Sequence, residues 1–328
     1  MDIEQLRYFQ CVAEVETFSL AAIKLGVSQP SISRQIRSLE NELGLRLFYR
    51  HGRGVALTEA GRKLYHMAVP LVQQLNNIVE ELCEDSTEPS GAVSIGMPSS
   101  IIGTMGSAVV HRFLLDYPKA TLKLYEGPSG LLLEKLEGAL LDIAILYESR
   151  RGSNMLVEPL LEEDLFLITP PSVLRGEGPD VSIEEVEKAP LILPSPLSGL
   201  RRSVDRVMQA NGLGLNLVLE MHSVTTIKNL VERAVGFAVF PFGIVHREIA
   251  DGRLGARKIA LPEMSAILVT ATAVGQPITR AMRAVQEIIN LELHRCVNAR
   301  QLRGRVLVSQ RPGFQAAESN KRLEGIIE

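Results

Sequence analysis

Two groups of residues in this chain have types and spacings that could do chemistry. The first runs from Ser28 to Arg53. It contains Ser28, Gln29, Pro30, Ser31, Ser33, Arg34 and Arg37, followed by Arg50 and Arg53 around a glycine-rich tip. Gln and Arg make bidentate hydrogen bonds to adenine and guanine edges, and Ser adds single bonds to bases or phosphates. Arg34 and Arg37 are three residues apart, hence neighbours on one face of a helix. From Arg34 to Lys63 seven basic residues stand against three acidic ones, while the whole chain carries a net charge of −3. A polyanion partner is therefore expected at this end only.

The second group consists of short polar loops placed before helical patterns. These are Ser99-Ser100-Ile101, Gly127-Pro128-Ser129, the end of the apolar run that contains Ile145, the pair Pro196 and Ser198, and the pair Ser223 and Thr225. Where Ser99, Ser100 and Ser129 open helices, free backbone N–H groups and the helix dipole favour an anion such as a carboxylate. Bond-making chemistry has no comparable support. GxSxG, P-loop and GxGxxG patterns do not occur, and the six histidines never fall in HxH or HExxH spacing. Cys11, Cys83 and Cys296 are too far apart for a CxxC zinc site and odd in number for a disulfide framework. No metal or cofactor is expected beyond a small-molecule effector.

The elements that would position the first group are helical. Ile3, Leu6, Phe9, Val12 and Ala13 recur at helical spacing. Ser19 is the expected cap of a short helix from Leu20 to Leu25, which Gly26 ends. Ser28 caps a third helix, with Pro30 in its tolerant first turn, an apolar stripe of Ile32, Ile36, Leu39 and Leu43, and Gly44 as the stop. Helix, glycine-containing turn and helix make a helix-turn-helix, whose second helix enters the DNA major groove. Leu47-Phe48 and Val55-Ala56-Leu57 then read as a hairpin wing.

The run Phe18-Ser19, Ala21-Ala22, Leu25, Val27-Ser28-Gln29-Pro30-Ser31, Ser33, Gln35-Ile36, Leu39-Glu40, Leu43-Gly44, Leu47-Phe48, Arg50, Leu57-Thr58, Ala60-Gly61 resembles the N-terminal signature of LysR-type transcriptional regulators. The wing from Arg53 through Gly61 and the later Gly96-x-Pro98-Ser99 are similar to the nitrogen assimilation control subgroup. The resemblance implies a winged helix-turn-helix, a linker helix that dimerises, and an effector domain. It also implies effector contacts at Ser99 and Ser100 and after the Leu217–Glu220 run. Four chains would bridge two interrupted palindromes of double-stranded DNA as a dimer of dimers, and RNA polymerase is the expected further partner.

Downstream of Thr58, an expected N-cap, Leu64, Met67, Leu71, Leu75, Ile78 and Leu82 are spaced by three or four. A second copy of the helix would cover such a stripe; packing on the chain's own effector domain is the alternative. Pro70 is expected to kink this helix, and Asp85–Gly91 reads as a hinge. From Ala92 short apolar runs alternate with helical stretches, a βαβ series that predicts an α/β domain of two subdomains on the plan of periplasmic solute-binding proteins. The expected limits are 1–58 for the DNA-binding domain, 59–91 for linker and hinge, and 92–295 for the effector domain. Within the last, subdomain I takes 92–163 and 266–295, and subdomain II takes 164–265. Residues 296–328 read as a flexible basic tail with one short strand at Arg305–Ser309.

At 328 residues the chain has room for two or three globular units, and 46% hydrophobic with 22% charged residues is ordinary for folded protein. The opening, Met1 to Arg7, lacks the basic and apolar regions of a secretory leader, and no apolar run reaches spanning length, so a cytoplasmic location without membrane contact is expected. Two other classes of function fit less of the chain: an α/β enzyme with an accessory DNA-binding module, and a plain solute receptor.

Overall fold

The computed structural model describes residues 1–52, 54–82, 89–147, 155–261 and 264–307. Arg53, Cys83, the Asp85–Glu88 part of the expected hinge, and the tail beyond residue 307 lie outside the described residues.

The N-terminal part consists of α1 (Ile3–Val15), α2 (Phe18–Leu25), α3 (Gln29–Leu43), β1 (Phe48–His51), β2 (Gly54–Leu57) and the long α4 (Glu59–Leu82). Asp2 and Gln5 form a capping box on α1. The cap of α2 differs from expectation. Thr17, not Ser19, accepts from Leu20 N–H, because Glu16 turns left-handed at φ 57° and lets the helix begin at Phe18, whose ring meets Phe48 edge-on. Gly26 and Gly44 adopt left-handed φ at the ends of α2 and α3. Phe9, Val12, Ala21, Ile32, Ile36, Leu39, Leu47, Phe48 and Val55 form one core, each larger side chain contributing about 1.5–3 kcal/mol by leaving water. Buried Glu40 fixes the turn into the wing by accepting from Leu47 N–H at 2.8 Å and pairing with Arg46 at 3.2 Å.

The remaining elements are β3 (Gly91–Met97), α5 (Ser99–Ile101), a π-helical turn at Ile102–Gly106, α6 (Ser107–Asp116), β4 (Ala120–Glu126), α7 (Ser129–Glu137), β5 (Ile143–Tyr147), β6 (Met155–Thr169), β7 (Gly176–Glu177), α8 (Ile183–Lys188), β8 (Leu191–Leu193), α9 (Gly199–Ala210), β9 (Leu217–Glu220), α10 (Val224–Glu232), β10 (Ala238–Pro241), α11 (Phe242–Ala250), β11 (Gly255–Lys258), β12 (Ser265–Ala273), α12 (Arg280–Asn298) and β13 (Gly304–Val306). The strands β4, β3 and β5 are parallel, and β12 closes them antiparallel to β5. Only the second half of β6, from Leu165, reads as a short apolar run in the sequence. Its charged first half, Met155–Asp164, pairs with β12, while Leu165–Thr169 lies between β10 and β11. One continuous strand thus runs from the first subdomain into the second.

The chain after α12 also departs from expectation. Cys296 is buried within α12, Leu302 is buried, and β13 pairs with β6 at Leu161–Glu163. Residues 296–307 therefore pack as part of the effector domain. The strand spans Gly304–Val306, Leu307 N–H bonds the Leu160 carbonyl of β6 at 2.9 Å, and the rest of the expected Arg305–Ser309 strand lies outside the described residues.

Candidate functional site

On the N-terminal unit, Ser28 caps α3 by accepting from Ser31 N–H, and Pro30 occupies the first turn. The buried positions Ile32, Ile36 and Leu39 turn the opposite side of α3 outward. Ser28, Gln29, Pro30, Arg34 and Arg37 are exposed, and Ser31 and Ser33 are half-exposed. All seven therefore share one accessible end and face of the helix. Arg50 lies on β1, beside the wing tip, and Arg53 lies outside the described residues. Gly61 permits the junction with the linker helix, since a Cβ there would sit 2.1 Å from the Leu47 carbonyl oxygen. Thr58 caps that helix, accepting from Gly61 N–H at 2.9 Å while donating to the Arg46 carbonyl at 2.6 Å.

The expected stripe on α4 divides between two faces. Leu64, Ala68 and Val72 pack against Leu6 of α1, because α1 already occupies that side. Met67 and Leu71 stay 68% and 50% exposed, and Leu75 is half-buried. Ile78 and Leu82 lie further along the helix. Tyr65 is half-buried near Tyr125 of β4, and burial pushes its phenol up to about 12.

The second site is a cleft between the subdomains, at the carboxyl ends of their strands, where α/β sheets commonly bind ligands. Its volume is about 520 Å3, the open mouth included. One subdomain supplies Ser99, Ser100, Gly127, Pro128, Ser129 and Tyr147. The other supplies Ser195, Ser198, His222, Val224, Phe240 and Ile244. Of the residues selected from the sequence, Ser99, Ser100, Gly127, Pro128, Ser129 and Ser198 meet here. Ile101 and Ile145 do not, because both are fully buried in the core. Pro196 points its carbonyl to Arg202. Ser223 serves as the N-cap of α10, accepting from Thr226 N–H at 3.2 Å, and Thr225 is exposed away from the lining.

Tyr147 and Phe240 lie outside the residues selected from the sequence, whereas Ser195 and His222 lie in the two loops expected to line the cleft, those of Ser198 and Ser223, without being the residues selected from them. Ser195 Oγ and His222 Nδ1 are 3.0 Å apart. The available signal was positional: Tyr147 and Phe240 are among the last two residues of their strands, and Ser195 and His222 follow theirs by two. The subdomains also touch directly. Gly130 N–H donates to the Leu197 carbonyl at 3.1 Å, and the Thr104 hydroxyl, within the π-turn, lies 3.0 Å from the Gly243 carbonyl. Gly199 comes so near the end of β5 that a Cβ would lie 1.9 Å from the Tyr147 carbonyl oxygen. These contacts draw the two halves together around the cleft.

Beneath Ser100 and Tyr147 lies Glu163, with no exposed surface. The Tyr147 hydroxyl donates to Glu163 Oε2 at 2.5 Å. Ser129 Oγ accepts from Tyr147 N–H at 3.1 Å and so fixes the backbone at this point. Burial pushes the Glu163 carboxyl up to about 7, against the Tyr147 hydrogen bond, which acts the other way. Burial also drives the Tyr147 phenol well up. Among the described residues no group of His, Cys, Asp and Glu could hold a metal ion, and no helix is long and apolar enough to cross a membrane.

A winged helix-turn-helix joined by a long helix to a two-part α/β domain with a central cleft defines a ligand-responsive DNA-binding regulator as the class of protein. Comparison with known proteins makes the assignment specific. Residues 3–62 match the family described as bacterial regulatory helix-turn-helix protein, lysR family, and residues 86–292 match the LysR substrate binding domain. The chain belongs to the LysR family of transcriptional regulators. It is 31% identical over 287 residues to the HTH-type transcriptional regulator BbuR of Bordetella bronchiseptica, covering 87% of each chain. It is 27% identical to the nitrogen assimilation regulatory protein nac of Escherichia coli, covering 88% of this chain and 94% of that one. In fold it is similar to a full-length OxyR variant from Pseudomonas aeruginosa (TM-score 0.72, 22% identity, 95% and 99% of the two chains). It is also similar to full-length CbnR in complex with its target DNA (TM-score 0.62, 20% identity, 89% and 100%). These relatives are regulators, and the reading as an enzyme finds no support among them.

Proposed function

We propose that the chain is a cytoplasmic regulator that reads an interrupted palindrome of double-stranded DNA and responds to a small anionic metabolite held in the cleft. Gln29, Ser31, Ser33, Arg34 and Arg37 on α3 meet base edges and adjacent phosphates. Ser28 and Pro30 set the start of that helix, and Arg50 and Arg53 reach the backbone from the wing. Met67 and Leu71, exposed on α4, pair with a second copy together with Leu75, Ile78 and Leu82 further along the helix, and two dimers bridge two operator sites. Leu64 belongs to this set only as the residue that seats α4 on α1. Ligand-dependent change in the angle between subdomains moves the heads and alters the access of RNA polymerase. Similarity to nac, with the wing and Gly96–Ser99 segments, supports a reading of the chain as close to the nitrogen assimilation control group.

The observation that carries the effector reading is the set of serine hydroxyls, Ser99, Ser100, Ser129, Ser195 and Ser198, converging on one cleft from both subdomains. A ligand that touches both halves favours the closed arrangement by its difference in affinity. The test has two stages. Genomic fragments bound by the full chain are selected and footprinted to define the operator. Small carboxylates are then screened for a change in that footprint. Ser100→Ala is expected to keep operator affinity and to weaken the active carboxylate by about 1.5–3 kcal/mol, the worth of a hydrogen bond to a charged group. Unchanged carboxylate affinity in Ser100→Ala moves the site elsewhere.

A further inference from the structure

We propose that residues 301–307 form a strap that holds the two subdomains at their present angle, with Arg303, carried by the first subdomain, gripping the second. The proposal concerns the hinge and stands whichever ligand the cleft takes. The strap begins where α12 ends. Arg300 turns left-handed at φ 56°, and the N–H groups of Gln301 and Leu302 both bond the Cys296 carbonyl, at 2.9 and 3.2 Å. β13 then pairs with Leu161–Glu163, in the half of β6 that belongs to the first subdomain. The Arg303 carbonyl accepts from Asp164 N–H at 3.0 Å. Gly304 permits so close a pairing, since a Cβ there would lie 2.0 Å from the Glu162 carbonyl oxygen. Arg305 adds an ion pair with Glu162 at 2.7 Å. The backbone of the strap is thus fixed to the first subdomain.

Asp164 is also the last residue of β6 that pairs with β12, and from Leu165 onward β6 pairs with β10 and β11. The bonds between strap and β6 therefore stop at the crossing point, but the side chains go past it. Arg303 meets both carboxylate oxygens of Glu177 on β7, with Nη2 donating to Oε1 at 2.6 Å, and its guanidinium stacks on the Phe242 ring at 3.6 Å. β7 pairs with β11 of the second subdomain, and Phe242 opens α11. Leu302 is buried against Gly243, where a Cβ would lie 2.6 Å from Leu302 Cδ2 and 3.1 Å from the Thr104 hydroxyl of the π-turn. Phe240 and Ile244, on either side of Phe242 and Gly243 in the chain, line the cleft. The strap grips the same turn that carries part of the cleft wall.

A change of angle at the crossing point would carry Glu177 and Phe242 away from Arg303, because they move with the second subdomain and Arg303 moves with the first. The ion pair and the ring stack oppose that change together, each being modest by itself. The Arg303 side chain is only 26% exposed, and a partly buried pair is screened less than one in open solvent. The arrangement that the strap favours is the one in which Gly130 N–H reaches the Leu197 carbonyl across the cleft. Loosening the strap should open the cleft and weaken any ligand that touches both halves, by lowering the population of the binding-competent form.

Hydrogen exchange of the full chain, resolved to single amides, tests the strap without a ligand. Gly130 is the reporter. It lies in the first turn of α7, where an N–H has no intrahelical partner, so its amide is protected by the Leu197 carbonyl of the other subdomain. In Arg303→Ala this amide should exchange about three- to tenfold faster, while amides in the middle of α3 and α12 keep their wild-type rates. Glu177→Gln leaves the ring stack and should give a smaller rise, and adding it to Arg303→Ala should give no further one, since the two side chains act as a unit. A Gly130 rate unchanged in Arg303→Ala overturns the proposal. So does an acceleration confined to Asp164 and Leu307, the amides that tie the strap to β6, because Arg303 would then steady only its own strand. If Arg303→Ala also loosens α12, Glu177→Gln decides: Gly130 must exchange faster with α12 unchanged, or the proposal falls.

Discussion

Arg34 and Arg37 stand in the open on a helix whose other side is fully buried, and neither makes an ion pair among the described residues. A guanidinium left unpaired on a well-supported helix is ready for a guanine edge or a phosphate, and which of the two it meets can be measured. Arg34→Ala should weaken operator binding by about 1–3 kcal/mol and relax preference at one position of the half-site if it contacts a base. If it meets phosphate instead, all sequences should weaken alike and the salt dependence should become shallower by about one counterion. Binding titrations on operator and scrambled duplexes over a salt series separate the two. Identical affinities for variant and wild type would remove Arg34 from the interface.

At the level of elements, α4 carries two separate apolar sets that sequence spacing merges into one. Leu64, Ala68 and Val72 are consumed by α1 within the same chain, whereas Met67 and Leu71 remain open to solvent. Only the second set is available to another copy. The double variant Met67→Glu with Leu71→Glu should therefore leave the single chain folded, since neither side chain is in its core. A carboxylate buried in an assembled interface, by contrast, is strongly unfavourable. Sedimentation velocity should show loss of the dimer while circular dichroism and the unfolding temperature of the effector domain change little. A double variant that sediments as the wild type does would place the interface on another side of the chain.

For the whole molecule, the two subdomains share β6 and meet at a few further contacts, among which Gly199 comes very close to the Tyr147 carbonyl. A methyl group at Gly199 cannot coexist with the carbonyl oxygen 1.9 Å from its Cβ. Since both partners are backbone, no side-chain rotation relieves it, so the subdomains must part. Gly199→Ala should cost about 1–3 kcal/mol of stability, in the range of overpacked cores, and should enlarge the effector domain in solution scattering. Ligands that touch both halves should bind more weakly, while operator binding in their absence is retained. Unchanged scattering together with unchanged binding of the active carboxylate would show that the subdomains do not close at this point.

The sequence alone determined the N-terminal unit almost to the residue. Caps at Ser28 and Thr58, stops at Gly26 and Gly44, and the stripe Ile32–Ile36–Leu39 are local signals, read within one or two turns of chain. Ser19 was misplaced as a cap because Thr17 and Ser19 are chemically alike and only the left-handed Glu16 decides between them. In the effector domain the βα alternation was equally legible, and so were the serines that open its helices. What the tertiary structure decided is everything that depends on distant segments meeting. The first half of β6 is charged and has no apolar period, and it becomes a strand because β12 returns beside it. Tyr147 and Glu163 lie sixteen positions apart, and their pairing depends on β5 and β6 being brought together around β12. The cleft itself joins loops from both subdomains, so local pattern picks out the loops but cannot tell which of their residues line it: Ser195 and His222 do, Thr225 and Ile145 do not. Local propensity acts over a few residues, whereas burial and hydrogen bonding across the cleft require the whole chain to have folded.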